Sequence, residues 1–381
     1  MRSICILADD LTGALDTAAP LAGRYGVMPV RWRPPFVGPR LVIDSETRSL
    51  APHRAAFAVA HAAARLSGPA LGFKKIDSLL RGNTLLEIAT CVRRGRFGTV
   101  VIAPAFPEQG RITRAGIQFY RDPANGAWRQ TGVGSIHRAL AARGIRARIV
   151  PRRCLPRGSG IFICDAETPS DLDRIASLRS QLEGPILWIG SAGLSRALAR
   201  FPRPLVPPST SSILVVVGSN HPVAVDQGDV LAGSMPEVIA RISHDHAIDT
   251  ALRHVARQIV ARQPGAILFS LPPVSDAAAA AIMNRTFARI PDLVPRPDIL
   301  LVVGGDTLVR LADALGASQL DVHGEIAPGL PLSRLADGAW RGTYVISKSG
   351  AFGGPSLLLE IVTAMRKRGA DVGQEDCHNR R

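Results

Sequence analysis

Short apolar runs rich in β-branched residues alternate along the chain with longer stretches of helical spacing. In the first half these runs are Ile4 to Ala8, Leu41 to Asp44, Leu71 to Lys75, Thr99 to Ala103, Ile161 to Cys164 and Ile186 to Ile189. Alternation of this kind predicts a parallel-sheet α/β fold. After Arg200 the pattern breaks at a proline-rich segment, residues 201–212, where prolines remove backbone donors and favour extended chain. A second α/β series follows, with strand candidates Ile213 to Val217, Ala266 to Ser270, Ile299 to Val303 and Thr343 to Ile346. Pro355 to Arg368 has helical spacing, with Pro355 suited to a first turn and basic residues at the end, and the polar tail after Gly369 is expected to fray. The predicted fold is therefore two α/β domains with mainly parallel sheets, 1–206 and 207–381, joined by a Pro-rich linker.

Composition narrows the class. A chain of 381 residues, 46% hydrophobic and 5% aromatic, has ample material for buried cores and is neither disordered nor a disulfide-stapled miniprotein. Its net charge of +15 points to anionic partners. The lysines are only Lys74, Lys75, Lys348 and Lys367, and the arginines are scattered, without a dense basic stretch interleaved with aromatics. That distribution favours an anionic metabolite and argues against nucleic acid as the partner. Cys5, Cys91, Cys154, Cys164 and Cys377 form no C-x-x-C pair, as expected in a reducing cytoplasm. No run approaches a membrane span or a signal-peptide core, so no membrane partner is expected. The oligomeric state is left open, a homo-oligomer included.

Ligands of doubly wound sheets collect at strand ends, so the residues just after each strand candidate carry the chemistry. Ile4 to Ala8 runs into Asp9, Asp10, Leu11, Thr12 and Gly13, two adjacent carboxylates where a helix cap needs one. A dehalogenase-type phosphatase also starts with a strand and an aspartate, but it requires an acid where Leu11 stands. The strand Leu71 to Lys75 ends in Lys74-Lys75-Ile76-Asp77-Ser78-Leu79-Leu80-Arg81, a cluster able to bind carboxylate or phosphate, with Asp77 as a proton acceptor and Ser78 as a partner for a polyol. Thr47-Arg48 and the segment Pro104 to Arg111 add polar groups on the same expected edge. Together they suggest a pocket for a small anionic polyol.

The second series ends its strands in glycine-rich turns: Gly218-Ser219-Asn220, Gly304-Gly305-Asp306-Thr307 and Ser347-Lys348-Ser349-Gly350-Ala351-Phe352-Gly353-Gly354. Glycines let backbone N–H groups approach phosphates, and a helix starting next adds its dipole. There is no G-x-G-x-x-G. The near match to a P-loop at Gly342 to Ser349 fails because Ser347 replaces the second glycine and Thr343 to Ile346 reads as strand.

In this order the segments resemble the four-carbon acid sugar kinase family. The resemblance spans nearly the whole chain: Ala8 to Ala14, Thr47 to Ser49, Lys75 to Asn83, Pro104 to Arg111, Gly190 to Leu194, Gly218-Ser219, Gly304 to Thr307, Ile326 to Gly329 and Lys348 to Gly353. Leu79, Asp306 and Ala351 depart from the usual threonine, glutamate and glycine. The resemblance implies phosphorylation of the terminal hydroxyl of a tetronate or 3-oxotetronate with ATP and Mg2+, a sugar-acid-binding first domain and a nucleotide-binding second one. It places Asp10, Arg48, Lys75, Ile76, Asp77 and Ser78 at the substrate, and Ser219, Gly304, Gly305, Asp306, Thr307, Ser349, Gly350 and Gly353 at ATP. Arg48, Lys75 and Arg81 are expected to hold the carboxylate, with Asp10 or Asp77 as general base, between which the sequence does not choose. The linker is expected to act as a hinge. A non-catalytic sugar-acid sensor and a phosphosugar phosphatase are the competing classes.

Overall fold

The computed structural model describes residues 3–366 apart from 123–124, 182–183, 201–203, 209, 211 and 271–274. The tail after Gly369, part of the proline-rich segment, Lys367 and Cys377 lie outside the described residues. The chain divides into two compact units, Met1–Arg203 and Pro204–Arg381.

The first unit carries β1 (Ile4–Ala8), β2 (Met28–Arg31), β3 (Arg40–Asp44), β4 (Leu71–Lys75), β5 (Thr99–Ala103), β6 (Arg111–Arg114), β7 (Ile117–Arg121), β8 (Trp128–Ser135), β9 (Arg148–Val150), β10 (Gly160–Cys164) and β11 (Ile186–Gly190). Its main sheet has the order β2-β3-β1-β4-β11-β5-β10-β9, with every neighbouring pair parallel. All five residues of β1 are buried because helices cover both faces, which is why its sequence is continuously apolar. Cys5, Leu7, Leu41 and Ile43 pack against Val59, Ile88 and Ile136 from helices on one face. The helices Leu11–Tyr25 and Ala192–Ala199 pack together against the other.

From β1 the chain steps to β3 on one side and later to β4 on the other. The C-terminal ends of β3, β1 and β4 therefore flank the crevice where strand order reverses, the usual ligand position in such sheets. After β5 the chain leaves the sheet to form the antiparallel meander β6-β7-β8.

The second unit carries β12 (Ile213–Val217), β13 (Ile239–Ile242), β14 (Gly265–Phe269), β15 (Ile299–Val303), β16 (Gln319–Ala327), β17 (Leu330–Leu335) and β18 (Tyr344–Lys348). The order is β13-β14-β12-β15-β18-β17-β16, parallel from β13 to β18 and antiparallel through the β16–β17 hairpin. The last parallel strand runs two residues beyond the expected Thr343 to Ile346, because β18 follows β15 to its end and Lys348 pairs with Val303. Among the described residues no helix is long and apolar enough to cross a membrane.

Candidate active site

In the first unit the strand-end residues converge on one guanidinium. Asp10 caps the helix Leu11–Tyr25, its Oδ1 accepting from Gly13 N at 3.0 Å. The loop after β3 turns back through Asp9, whose carbonyl accepts from Thr47 N at 3.1 Å and Arg48 N at 3.2 Å. Arg48 is thereby aimed at both acids: Nε and Nη2 donate to Asp9 at 2.8 and 3.0 Å, while Nη1 and Nη2 each donate to Asp10 at 2.7 Å. Lys75 Nζ lies 3.9 Å from Asp9, and Asp77 lies 3.8 Å from Arg48. A Cβ at position 13 would collide with Lys75 Nζ and come within 2.5 Å of Asp10 Oδ1, so a side chain there would displace both charged groups.

Asp77 organises the turn after β4. Its Oδ2 accepts from the Leu79 and Arg81 amides, both at 3.1 Å, and Arg81 Nε and Nη2 grip the carboxylate at 2.9 and 2.7 Å. Asn83 ties this turn to the Arg48 loop by donating from Nδ2 to Thr47 O at 2.9 Å and Leu50 O at 2.8 Å. Beneath the turn lies a fully buried ion pair, Lys74 Nζ to Glu87 at 2.7 Å.

The three carboxylates differ. Burial pushes the Asp9 pKa up, but Lys75 and Arg48 outweigh it and hold the group below its ordinary value. Burial would also raise Asp77, yet the Arg81 hydrogen bonds and Arg48 leave it well below the carboxylate range. Asp10 goes the other way, because burial and the neighbouring Asp9 charge exceed the pull of Arg48 and raise it. It is also the open one, with its side chain 24% exposed against 4% for Asp9 and 6% for Asp77. Asp44, at the end of β3, is pushed far up by burial, and its Oδ2 has no partner.

In the second unit the glycine turns meet one another. Gly304, with φ +110°, caps the helix Gly305–Ala314 without a side-chain hydrogen bond, so the first-turn amides are left open. A Cβ at Gly304 would lie 2.9 Å from Thr307 Oγ1, and one at Gly350 would collide with Ser219 Oγ. Gln227 fastens the last turn, donating from Nε2 to Phe352 O at 3.0 Å and Gly354 O at 2.7 Å. Val217, Val303 and Lys348 are register partners at the C-terminal ends of their strands, so Lys348 sits in a row directly under these turns. It is 0% exposed, its Nζ donates to Ser349 O at 3.0 Å, and burial pushes its pKa down to about 8.

The fold brings Asp10, Arg48, Lys75, Asp77 and Arg81 into one basin. Ile76 has its side chain in the core, 1% exposed, so only its backbone could meet a ligand. Ser78 is half-buried, and its carbonyl accepts from Gln118 Nε2 at 2.8 Å. Ser219, Gly304 to Thr307 and Ser349 to Gly353 lie on the turns of the other unit, with Asp306 exposed. Asp9, paired with Arg48 at the basin, and Lys348, beneath the glycine turns, were not among the site residues expected from the sequence. The first was legible as a doubled acid. The second was legible as a lone lysine ending an apolar strand.

Comparison with known proteins agrees with this division. A family model described as a sugar-binding N-terminal domain matches residues 4–132 and 128–198, and one described as a nucleotide-binding C-terminal domain matches 214–358. A D-threonate kinase of Cupriavidus necator is 29% identical, covering 94% of this chain and 97% of its own. A D-erythronate kinase of Heliobacterium modesticaldum is 30% identical over 93% and 94%. A solved Salmonella typhimurium structure shares the fold, with TM-score 0.69 and 18% identity over 94% of this chain and 98% of that one. Fold and relatives together define a phosphotransferase acting on sugar acids, built from two α/β units. The chain belongs to the four-carbon acid sugar kinase family.

Proposed function

We propose that the protein transfers the γ-phosphoryl group of ATP to the terminal hydroxyl of a four-carbon sugar acid, a tetronate or 3-oxotetronate. The observation that supports this reading most is the basin at the strand-order reversal, where an open, pKa-raised carboxylate stands among cations. Asp10 is the general base in this reading. As the hydroxyl oxygen forms its bond to the γ-phosphorus and the bond to the ADP oxygen breaks, Asp10 takes the hydroxyl proton. Asp77 suits that role less, because Arg81 and Arg48 hold it as a weakly basic anion. Arg48 positions Asp10, and Lys75, the Ile76 backbone and Ser78 line the sugar acid. In the second unit Ser219, the Gly304 to Thr307 helix start, Ser349, Gly350 and Gly353 cradle the nucleotide phosphates, with Lys348 beneath them.

Mg2+ would neutralise the phosphate oxygens. Among the described residues no group of three or more His, Cys, Asp or Glu could hold a metal. Bound with the nucleotide, the ion would be carried mainly by phosphates and water, with Asp306, exposed at the nucleotide turns, as an available carboxylate. Cys5, Cys91 and Cys164 are free and buried, and Cys154 is free and exposed.

A coupled ADP-release assay over D-threonate, D-erythronate and a 3-oxotetronate tests the proposal. Turnover with at least one acid is expected. Binding without turnover on every acid would leave the sensor reading, and phosphate release from a phosphosugar without ATP would leave the phosphatase.

A further inference from the structure

A sugar acid brings a carboxylate into a site whose obvious cations are already neutralised by the protein. All the donor edges of Arg48 that carry hydrogen bonds go to Asp9 and Asp10, and the Arg81 fork goes to Asp77. An anion entering such a basin keeps its charge only if a further cation faces it, because desolvating an unpaired carboxylate is costly. Lys75 is one candidate, but Asp9 lies 3.9 Å away.

Arg111 meets the requirement more fully. It opens β6, directly after the turn Pro107–Gln109, and its backbone is held on both sides by Phe106: Arg111 N donates to Phe106 O at 3.1 Å, and Phe106 N donates to Arg111 O at 2.8 Å. The hairpin that carries it is fastened to the substrate turn. Thr113 Oγ1 donates to Gln118 Oε1 at 2.7 Å, and Gln118 Nε2 donates to Ser78 O. The guanidinium is half-buried and donates from Nη1 to the neutral amide oxygen of Gln109. Among the described residues no carboxylate lies within 4.0 Å of it. Arg111 stands two residues before Thr113 on β6, so its side chain leaves the same face of the hairpin that is tied to the Ser78 turn, and Asp77, Arg81 and Asp16 are the charged groups that act on it.

We infer that Arg111 is the counter-ion of the substrate carboxylate and sets the preference of the enzyme for an acid over a neutral polyol. The inference rests on the sugar-acid kinase reading and deepens it. Arginine suits the task because its planar fork can bind both carboxylate oxygens, whereas lysine offers a point charge.

The test uses Arg111→Gln and Arg111→Lys in the full chain, with folding checked by thermal melting. Each is assayed for turnover, and by calorimetry for binding, with the best tetronate and with its neutral primary amide. For Arg111→Gln the KM and Kd of the acid should rise by roughly 30- to 1,000-fold, while those of the amide and of ATP stay within about threefold. The acid-to-amide preference should thus collapse in Arg111→Gln and be intermediate in Arg111→Lys, a change that general loosening of the hairpin would not produce. A preserved preference in a folded Arg111→Gln overturns the assignment and leaves the kinase standing. If Arg111→Gln does not fold, a preference in Arg111→Lys equal to wild type overturns it instead. Wild-type protein that binds the acid without turnover would remove the kinase reading while calorimetry still judges Arg111, and wild-type protein that binds no tetronate removes both.

Discussion

The two units build their sites from different materials. In the first, side-chain charges face one another at the ends of β1, β3 and β4, and Arg48 alone joins two carboxylates. In the second, the work falls to backbone: glycine turns and an open helix start, with a buried lysine whose hydrogen bond goes to a carbonyl. The contrast fits the ligands proposed for them. A small chiral acid is distinguished by placed charges and hydroxyl partners, whereas polyphosphate is held by amides that any sequence can present if the chain bends closely enough.

The sharpest way to break this contrast is at Asp10. Asp10→Asn should lower kcat by roughly 10²- to 10⁴-fold with little change in nucleotide KM, as expected of a base. A larger loss of kcat in Asp77→Asn than in Asp10→Asn, measured in the same steady-state assay, would transfer the role to Asp77.

Next in size is the support beneath the basin. Glu87→Gln leaves Lys74 charged in a site where both partners are buried, and should destabilise the first unit by about 3–5 kcal/mol in urea unfolding. An unchanged midpoint would show that the pair is not structural support.

In the second unit Gly350→Ala places a Cβ against Ser219 Oγ. The turn must shift, and we expect the KM for ATP to rise about tenfold while the KM for the sugar acid holds. Equal effects on both substrates would argue against the division of labour.

The smallest effect has two signs. Lys348→Met removes a buried cation, so thermal stability should rise by about 1 kcal/mol while nucleotide affinity falls a few-fold. The stability gain also has a pH dependence. Burial lowers the folded pKa to about 8 from 10.5, so between those values the unfolded chain binds more protons than the folded one, and wild-type stability rises with pH. The gap between wild type and variant should therefore narrow as pH increases through that window. A gap that is constant with pH in denaturation curves would mean that Lys348 does not titrate there.

The legible part of the fold was the continuously apolar strands, since a parallel strand buried on both faces writes its burial at every position. β1, β5, β12 and β15 are of this kind, whereas β4 is buried at every position but ends in Lys74 and Lys75. Strands outside the parallel sheets, and the short parallel strands β2, β9 and β13, were not legible. β6 (Arg111–Arg114) and β8 (Trp128–Ser135) carry charged or exposed residues through much of their length, and β9 is a three-residue edge. Their pairing depends on partners rather than on their own periodicity. The same division holds within the site. The doubled acid, the Lys75 to Arg81 cluster and the glycine turns stood out because each exceeds what capping or turning needs. That Arg48 and Arg81 are occupied by the protein's own carboxylates, and that Arg111 is not, could not be read from spacing.

By itself, then, the amino-acid order determined the buried parallel strands, which residues stand at their ends and what charges those ends carry. These are local properties, set by side-chain identity and by the two-faced burial of each run. Only the tertiary structure decided which of those charges cancel. Pairing between residues 10 and 48, or 77 and 81, depends on separations of an ångström or two brought about by strand order and loop path, and Coulomb and hydrogen-bond energies change steeply over that distance.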